Sequence, residues 1–174
     1  RDRRDAGRRL ARALGGIAGD TPLIVALPRG GVPVAAEIAA ALGADLDLLI
    51  VRKIGLPGQK ELAMGAVVNG SAPITVRNEA IIRGSGVPEA EFAEIRDREL
   101  EEIRRRRACY LGQRPPAEIA GRTVVVVDDG IATGATMRAA LRAIRTRQPL
   151  RLIVAVPVAA APVLAEMEGE ADEL

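Results

Sequence analysis

Two adjacent carboxylates, Asp128 and Asp129, end a run of four valines, Val124–Val127, and precede Gly130-Ile131-Ala132-Thr133-Gly134-Ala135-Thr136. Four β-branched residues in a row predict a strand buried on both faces, of the kind found in parallel sheets. The small and hydroxyl residues after the acids predict a short loop that opens a helix. A helix start offers unpaired backbone N–H groups and the positive end of the macrodipole, so it can hold a phosphate. Strand, acidic pair and phosphate cradle, in that order, suit a ligand with both hydroxyls and a phosphate, such as a sugar phosphate. Asp-Gly also occurs in plain turns. Location favours the ligand, because α/β folds bind at the carboxyl ends of their parallel strands.

Other residue types exclude other chemistry. The chain has no histidine, which removes Ser-His-Asp catalysis, histidine-ligated zinc and histidine acid–base chemistry. Phe92 and Tyr110 are the only aromatics, so there is almost nothing on which to stack single-stranded bases. The net charge of +2 gives no strong general pull toward nucleic acid or membrane. The basic run Arg104–Arg107 follows Glu94, Asp97, Glu99, Glu101 and Glu102 on one predicted helix, which reads as a salt-bridged surface rather than a nucleic-acid patch. Cys109, the single cysteine, rules out an intrachain disulfide, fits a reducing cytoplasm, and reads as a packing residue. No apolar run approaches the roughly 20 residues of a membrane span, and no signal-peptide pattern opens the chain. The chain starts without Met, and Ala171-Asp172-Glu173-Leu174 reads as the opening of another strand, so both ends are expected to be trimmed.

The elements that must position the acids follow from periodicity. Arg1–Leu14 reads as an amphipathic helix on Ala6, Leu10, Ala13 and Leu14. Leu23–Leu27 is a short apolar strand broken by Pro28-Arg29-Gly30-Gly31, and Val32–Leu42 is an alanine-rich helix ending at Gly43. Leu46–Val51 is the next strand, closed by Arg52-Lys53. Gly55–Leu62 reads as a mobile loop, with Ala63–Val68 and Ile74–Val76 as an antiparallel flap turning at Asn69-Gly70. Pro88–Arg107 is a long charged helix with Phe92, Ile95, Leu100 and Ile103 on its apolar face. Thr123–Asp128, Ala135–Arg145, Leu152–Val156 and Pro162–Met167 complete the order as strand, helix, strand and short helix. Strands alternating with helices predict an α/β fold with a mostly parallel central sheet flanked by helices. With no linker, repeat or low-complexity tract, residues 1–174 read as one domain.

Residues 124–136 resemble the phosphoribosyl-pyrophosphate (PRPP) motif of the type I phosphoribosyltransferases: four apolar residues, two acids and a Thr-Gly-x-Thr loop. Gly130 departs from it, since the family usually has an aliphatic residue or Ser there. The resemblance implies that Asp128 and Asp129 bind the ribose 2′- and 3′-hydroxyls. It implies that Ala132, Thr133, Gly134, Ala135 and Thr136 cradle the 5′-phosphate. Leu27-Pro28-Arg29-Gly30-Gly31-Val32 resembles the family's pyrophosphate loop, with Arg29, Gly30 and Gly31 at the diphosphate. Lys53 stands where the family commonly has a basic residue for the leaving group, with Arg52 beside it. Residues 55–66, with Lys60 and Glu61, match the flexible loop that closes over the site. Essentially the whole chain resembles a bacterial group carrying Asp-Asp-Gly-x-Ala-Thr-Gly-Ala-Thr.

The reaction this implies is transfer of a 5-phosphoribosyl group from PRPP to a nitrogen nucleophile with release of pyrophosphate. Lys53, Arg29, Asp128 and Asp129 are the residues expected to carry it. Mg2+ is the expected cofactor, touching Asp128 and Asp129 mostly through ligand or water, because it takes oxygen ligands and bridges phosphates. The acceptor is a nucleobase-like molecule without an assigned identity. A 6-oxopurine is disfavoured, because Ala132 stands where those enzymes have an acid and Val156 where they have a lysine. Ala-Thr-Gly in the loop is nearer the adenine and uracil enzymes. A PRPP-sensing regulator without turnover is the alternative, and a PRPP synthetase is disfavoured by the lack of an ATP-binding element. The expected protein is cytoplasmic, binds neither membrane nor nucleic acid, and has a base-binding hood left incomplete at Leu174; a homodimer is one assembly the resemblance allows.

Overall fold

The structure, a computed structural model, describes residues 2–174, without the side chains of residues 18–20, 60 and 61. Arg1, at the predicted start of the first helix, and the side chains of Lys60 and Glu61 lie outside the described residues. The backbone forms two compact units, one from the chain up to Leu49 together with Ala117–Leu174, the other from Ile50–Pro116.

The valine run organises the first unit. Val124–Val127 are fully buried in β6 (Thr123–Val127), which lies between β1 (Leu23–Ala26) and β7 (Arg151–Ala155). β2 (Asp45–Leu48) pairs with the far side of β1, so the order is β2-β1-β6-β7 and every pairing is parallel. From the β1/β6 boundary the chain winds in opposite directions, through α2 (Gly31–Leu42) to β2 and through α5 (Ala135–Arg145) to β7. Right-handed crossovers in opposite directions put α2 and α5 on opposite faces of the sheet. Ile24, Ala26, Val125, Val127, Ile153 and Ala155 form one core with Val34, Ala35 and Ile38 of α2. Alternate residues of the strands turn to the other face. α1 (Arg3–Ala13) joins α2 at that core through Ala11. β1 and β6 are paired from Leu23↔Val124 to Ala26↔Val127, so the two chains leave the sheet at the same level.

Past β7 and α6 (Ala161–Ala165), Glu173 makes a parallel bridge to Ile153. The segment read as the opening of another strand therefore runs beside β7. Leu152 N–H donates to Asp172 Oδ2 at 2.6 Å. Arg145–Asp172 ties the same segment to α5, and Arg138–Glu166 and Arg142–Glu170 do so for the residues just before it.

The second unit is an antiparallel sheet β3-β4-β5 (Val51–Leu56, Gln59–Val68, Ile74–Arg77) with α3 (Glu79–Ser85) and α4 (Glu89–Leu111). Ile50, Ile54, Leu56, Met64, Val67, Ile82, Phe92 and Ile103 make its own core. The flap expected at 63–76 is present as β4 and β5. Residues 55–66 are not a loop, however. They form the tip of the β3–β4 hairpin, turning at Pro57-Gly58 with Gly58 at φ +77°. Gly and Pro near the turn give this stretch the composition of a loop, while the burial of Ile54, Leu56 and Met64 makes it a strand pair. The apolar run 46–51 divides between β2 and β3, and the long helix continues four residues beyond Arg107.

Candidate functional site

In an open parallel sheet, the place where strand order reverses is where two loops part and leave a crevice. Here that place is the β1/β6 boundary, and the loops that leave it are Leu27–Gly31 and Asp128–Gly134. They are joined at the base, where Leu27 N–H donates to Val127 O at 2.9 Å. Above that bond glycine is required at position 31, where the obstacle is backbone, and at position 30 it lets the Asp129 carboxylate lie close. A Cβ on Gly31 would lie 2.5 Å from Val127 O, and one on Gly30 would lie 2.4 Å from the Asp129 carboxylate atoms. The Gly-Gly pair thus allows the basic loop to lie against the acidic pair. The Pro28–Arg29 peptide is cis, and Arg29 is exposed without an ion pair among the described residues.

The two acids have different surroundings. Asp128 Oδ1 accepts the Asp129 backbone N–H at 2.8 Å. Burial, with the Asp129 charge adding to it, pushes the Asp128 carboxyl up to about 6. Asp129 Oδ2 accepts from Arg3 Nε at 2.8 Å and pairs with Nη2 at 2.7 Å. Among the described residues no three His, Cys, Asp or Glu side chains cluster as a metal cage. Two carboxylates do fit Mg2+, which is usually held by one or two acids with substrate phosphates and water completing its shell.

The loop beyond the acids is pinned at both ends. Ile131 N–H donates to Val158 O at 3.0 Å, and Ile131 bridges Ala159 beyond β7. Gly130 is the departure from the family pattern, and a Cβ there would lie 3.1 Å from Val158 Cγ1. At the other end Gly134 takes φ +74° as the N-cap of α5 with no side chain capping the helix, so its first N–H groups face a hollow of about 180 Å3. Asp128, Gly130, Ala132, Thr133, Ala135 and Thr136 are among the residues lining it. All five predicted phosphate-cradle residues, Ala132 to Thr136, therefore belong to one concavity.

Two arginines at this site are not apparent from the motifs. Arg138, one turn into α5, donates from Nη2 to Thr133 O at 3.1 Å and from Nη1 to Glu166 Oε2 at 3.0 Å. Arg3 reaches Asp129 across 126 positions of sequence. Spacing from a helix N-cap is a signal that points to Arg138; nothing local points to Arg3.

Lys53 belongs to the second unit. It is exposed on β3 opposite Ala66 and lines a cavity of about 520 Å3 with Leu56, Pro57, Glu94 and Arg98. Arg52 is engaged there by Glu99, Nε to Oε2 at 2.7 Å, so among the described residues Lys53 is the freer cation of the pair. In the first unit Val156 lies just past β7, beside an aliphatic hollow of about 440 Å3 formed with Leu10, Leu14, Val158 and Leu164.

A switch-point crevice here joins an acidic pair, a glycine-spaced basic loop and a helix-capping loop at the carboxyl ends of parallel strands, where α/β folds bind their ligands. The chain belongs to the phosphoribosyl transferase domain family, whose model matches residues 3–170. It is 42% identical over 173 residues to a Mycobacterium tuberculosis protein with the provisional name phosphoribosyl transferase Rv0571c, covering 99% of this chain and 39% of that protein. The chain thus spans well under half the length of that curated relative. The crystal structure of TT1426 from Thermus thermophilus is similar over 100% of this chain and 82% of its own, with 41% identity and a TM-score of 0.85. Purine phosphoribosyltransferase from Pyrococcus horikoshii shares the fold at 16% identity and a TM-score of 0.50, over 87% of this chain and 69% of that one. The mostly parallel sheet flanked by helices expected from the sequence is the observed architecture of the first unit. No helix among the described residues is long and apolar enough to cross a membrane.

Proposed function

We propose that the protein transfers the 5-phosphoribosyl group of PRPP to a nitrogen acceptor with Mg2+ and releases pyrophosphate. The observation that carries this reading is the packing of Gly30 directly on the Asp129 carboxylate. It joins a loop suited to a diphosphate with acids suited to ribose hydroxyls, and the α5 N-terminus offers a third place for the 5′-phosphate. PRPP bears those three groups on one sugar.

In this reading Asp128 and Asp129 accept hydrogen bonds from the ribose 2′- and 3′-hydroxyls. The N–H groups and hydroxyls of 132–136 hold the 5′-phosphate, fixing the sugar at its far end. The C1–O bond to the diphosphate breaks, its electron pair leaving with pyrophosphate, while the acceptor nitrogen's lone pair forms the new bond to C1. Arg29 and the N–H groups at Gly30 and Gly31 offset the charge that develops on the leaving group, a role for which Lys53 of the second unit is the further candidate. Mg2+, held through Asp128, Asp129 and ligand oxygens, would add charge neutralisation at the diphosphate. Catalysis is then mainly positioning and electrostatics.

The hollow beside Val156, which this reading gives to the acceptor, is lined mainly by aliphatic side chains. Both aromatics fall in the second unit, where Phe92 is fully buried in the core. Val156 offers no donor to a 6-oxo group and Ala132 no acid to a ring nitrogen, so an acceptor other than a 6-oxopurine is favoured. Pyrophosphate release measured over a panel of nucleobases with PRPP and Mg2+ tests the reading. Turnover with at least one base, lost in Asp129→Asn, is the expected result. PRPP binding without turnover on any base would favour a PRPP sensor, and no PRPP binding would refute both.

A further inference from the structure

The Arg3 contact has more to say than a surface ion pair does. α1 is seated firmly on α2, because Gly7 lets the helices touch. A Cβ there would lie 2.6 Å from Val34 O and 2.8 Å from Glu37 Cβ. Arg8 and Arg4 pair with Glu37 at 3.6 and 4.0 Å on the same seam. That packing fixes the first turn of α1, and Arg3 extends from it to the switch-point crevice. Both of its contacts fall on one oxygen, Asp129 Oδ2, so the guanidinium keeps further N–H donors uncommitted. The carboxylate it touches lies on Gly30. Arg3 therefore meets the acidic pair at the carboxylate that packs on the loop assigned to the diphosphate, and Arg29 is the cation of that loop itself.

The pair itself holds little. Its side chains are 61% and 30% exposed, and exposed ion pairs contribute marginally to stability. A guanidinium makes charge-assisted, often forked bonds to carboxylate and phosphate alike. A diphosphate carries more negative charge and more acceptor oxygens than the single Oδ2 that Arg3 now touches, so it can draw the guanidinium over. It also frees Asp129 for the ribose hydroxyls.

We propose that Arg3 is a diphosphate-binding residue of this site, parked on Asp129 when no ligand is present and transferred to the diphosphate when one binds. The proposal rests on the PRPP reading above. Arg3 is exposed and in a first turn capped by Asp2, whose side chain accepts from the Asp5 N–H, so its replacement should leave the fold intact. Calorimetry on the full chain with two separate probes tests it: pyrophosphate with Mg2+, and ribose 5-phosphate. Arg3→Met is expected to weaken pyrophosphate about tenfold, the loss of one charge-assisted hydrogen bond, and to leave ribose 5-phosphate within about twofold. Arg3→Lys should recover part of the loss. Unchanged pyrophosphate binding overturns the proposal. Tighter binding of pyrophosphate to Arg3→Met also overturns it, and makes Arg3 an internal competitor. Equal weakening of both probes overturns it too, and makes Arg3 a prop for Asp129. If the parent protein binds neither probe, the PRPP reading itself fails.

Discussion

At the residue scale, the acidic pair is legible because its chemistry is written next to its structure. Four valines announce a buried strand, and the carboxylates follow at its end. What the sequence does not show is that the two acids differ. Asp128 is driven by burial to about 6, above the ordinary 3.8, while Asp129 has Arg3 at 2.7 Å. Burial and a partner 126 residues away are properties of the folded chain alone. The sign of the Asp128 effect is definite. Between about pH 4 and 6 the folded protein holds a proton there that the unfolded chain has lost, so this carboxyl's contribution to stability falls as pH rises through that window. The carboxylate accepts a ribose hydroxyl more strongly than the protonated acid does, so ligand affinity should rise with pH up to about 7 and then level. Ribose 5-phosphate has its own titration near 6, so the parent must be compared with Asp128→Asn between pH 5 and 8. Below about pH 6 the parent's dissociation constant should change more steeply than that of Asp128→Asn, the two slopes differing by up to about tenfold per pH unit. Parallel profiles would remove Asp128 from the hydroxyl-binding role.

At the element scale, most of the first unit is readable: α2 with its Gly43 stop, β6, α5 and β7 all lie within a few residues of their expected bounds. Their patterns agree with their burial, which is why local reading succeeds. The β3–β4 hairpin escapes such a reading because Gly55, Pro57 and Gly58 cluster at its tip, and the side chains that make it a strand pair are satisfied only by α3 and α4. α5 carries a consequence for the site. Its Arg138 donates to the Thr133 carbonyl and is itself held by Glu166. Engaging that carbonyl restrains the Thr133–Gly134 peptide, both residues of which line the hollow. Arg138 is thus a positioning residue for the phosphate loop. Replacing it with Met should weaken ribose 5-phosphate about fivefold, the worth of one hydrogen bond. Pyrophosphate with Mg2+ should bind as in the parent, and Arg138→Lys should restore part of the loss. This is the reverse of the pattern expected for Arg3→Met. A variant that weakened both probes equally would show a general loss of fold, and one that weakened neither would show a loop that needs no support.

At the scale of the whole molecule, the residues assigned to one reaction come from two compact units. The division is hard to see in the sequence. Pro115-Pro116 marks one crossing, but at the other the apolar run 46–51 reads as a single strand. Its two halves nevertheless serve different units, since Leu49 N–H donates to Ala26 O and Ile50 N–H to Asn69 Oδ1. Buried Asp47 holds the first unit's side of both crossings, accepting Leu48 N–H at 2.8 Å and Ala117 N–H at 2.7 Å. The acids, the phosphate cradle and Arg29-Gly30-Gly31 all lie in the first unit, while Lys53 is on the hairpin of the second. Hairpin tips with few backbone hydrogen bonds open readily, and such segments commonly close over bound substrate. Hydrogen exchange read by mass spectrometry, with and without PRPP and Mg2+, separates the contributions of the units. Amides of residues 27–31 and 128–137 should slow on binding through the first unit alone. If Lys53 meets the diphosphate, amides at the tip, residues 55–59, should slow with them, and Lys53→Met should abolish only this second protection. A tip that exchanges equally fast with and without PRPP would leave the second unit outside the reaction and return Lys53 to the role of a solvated strand residue.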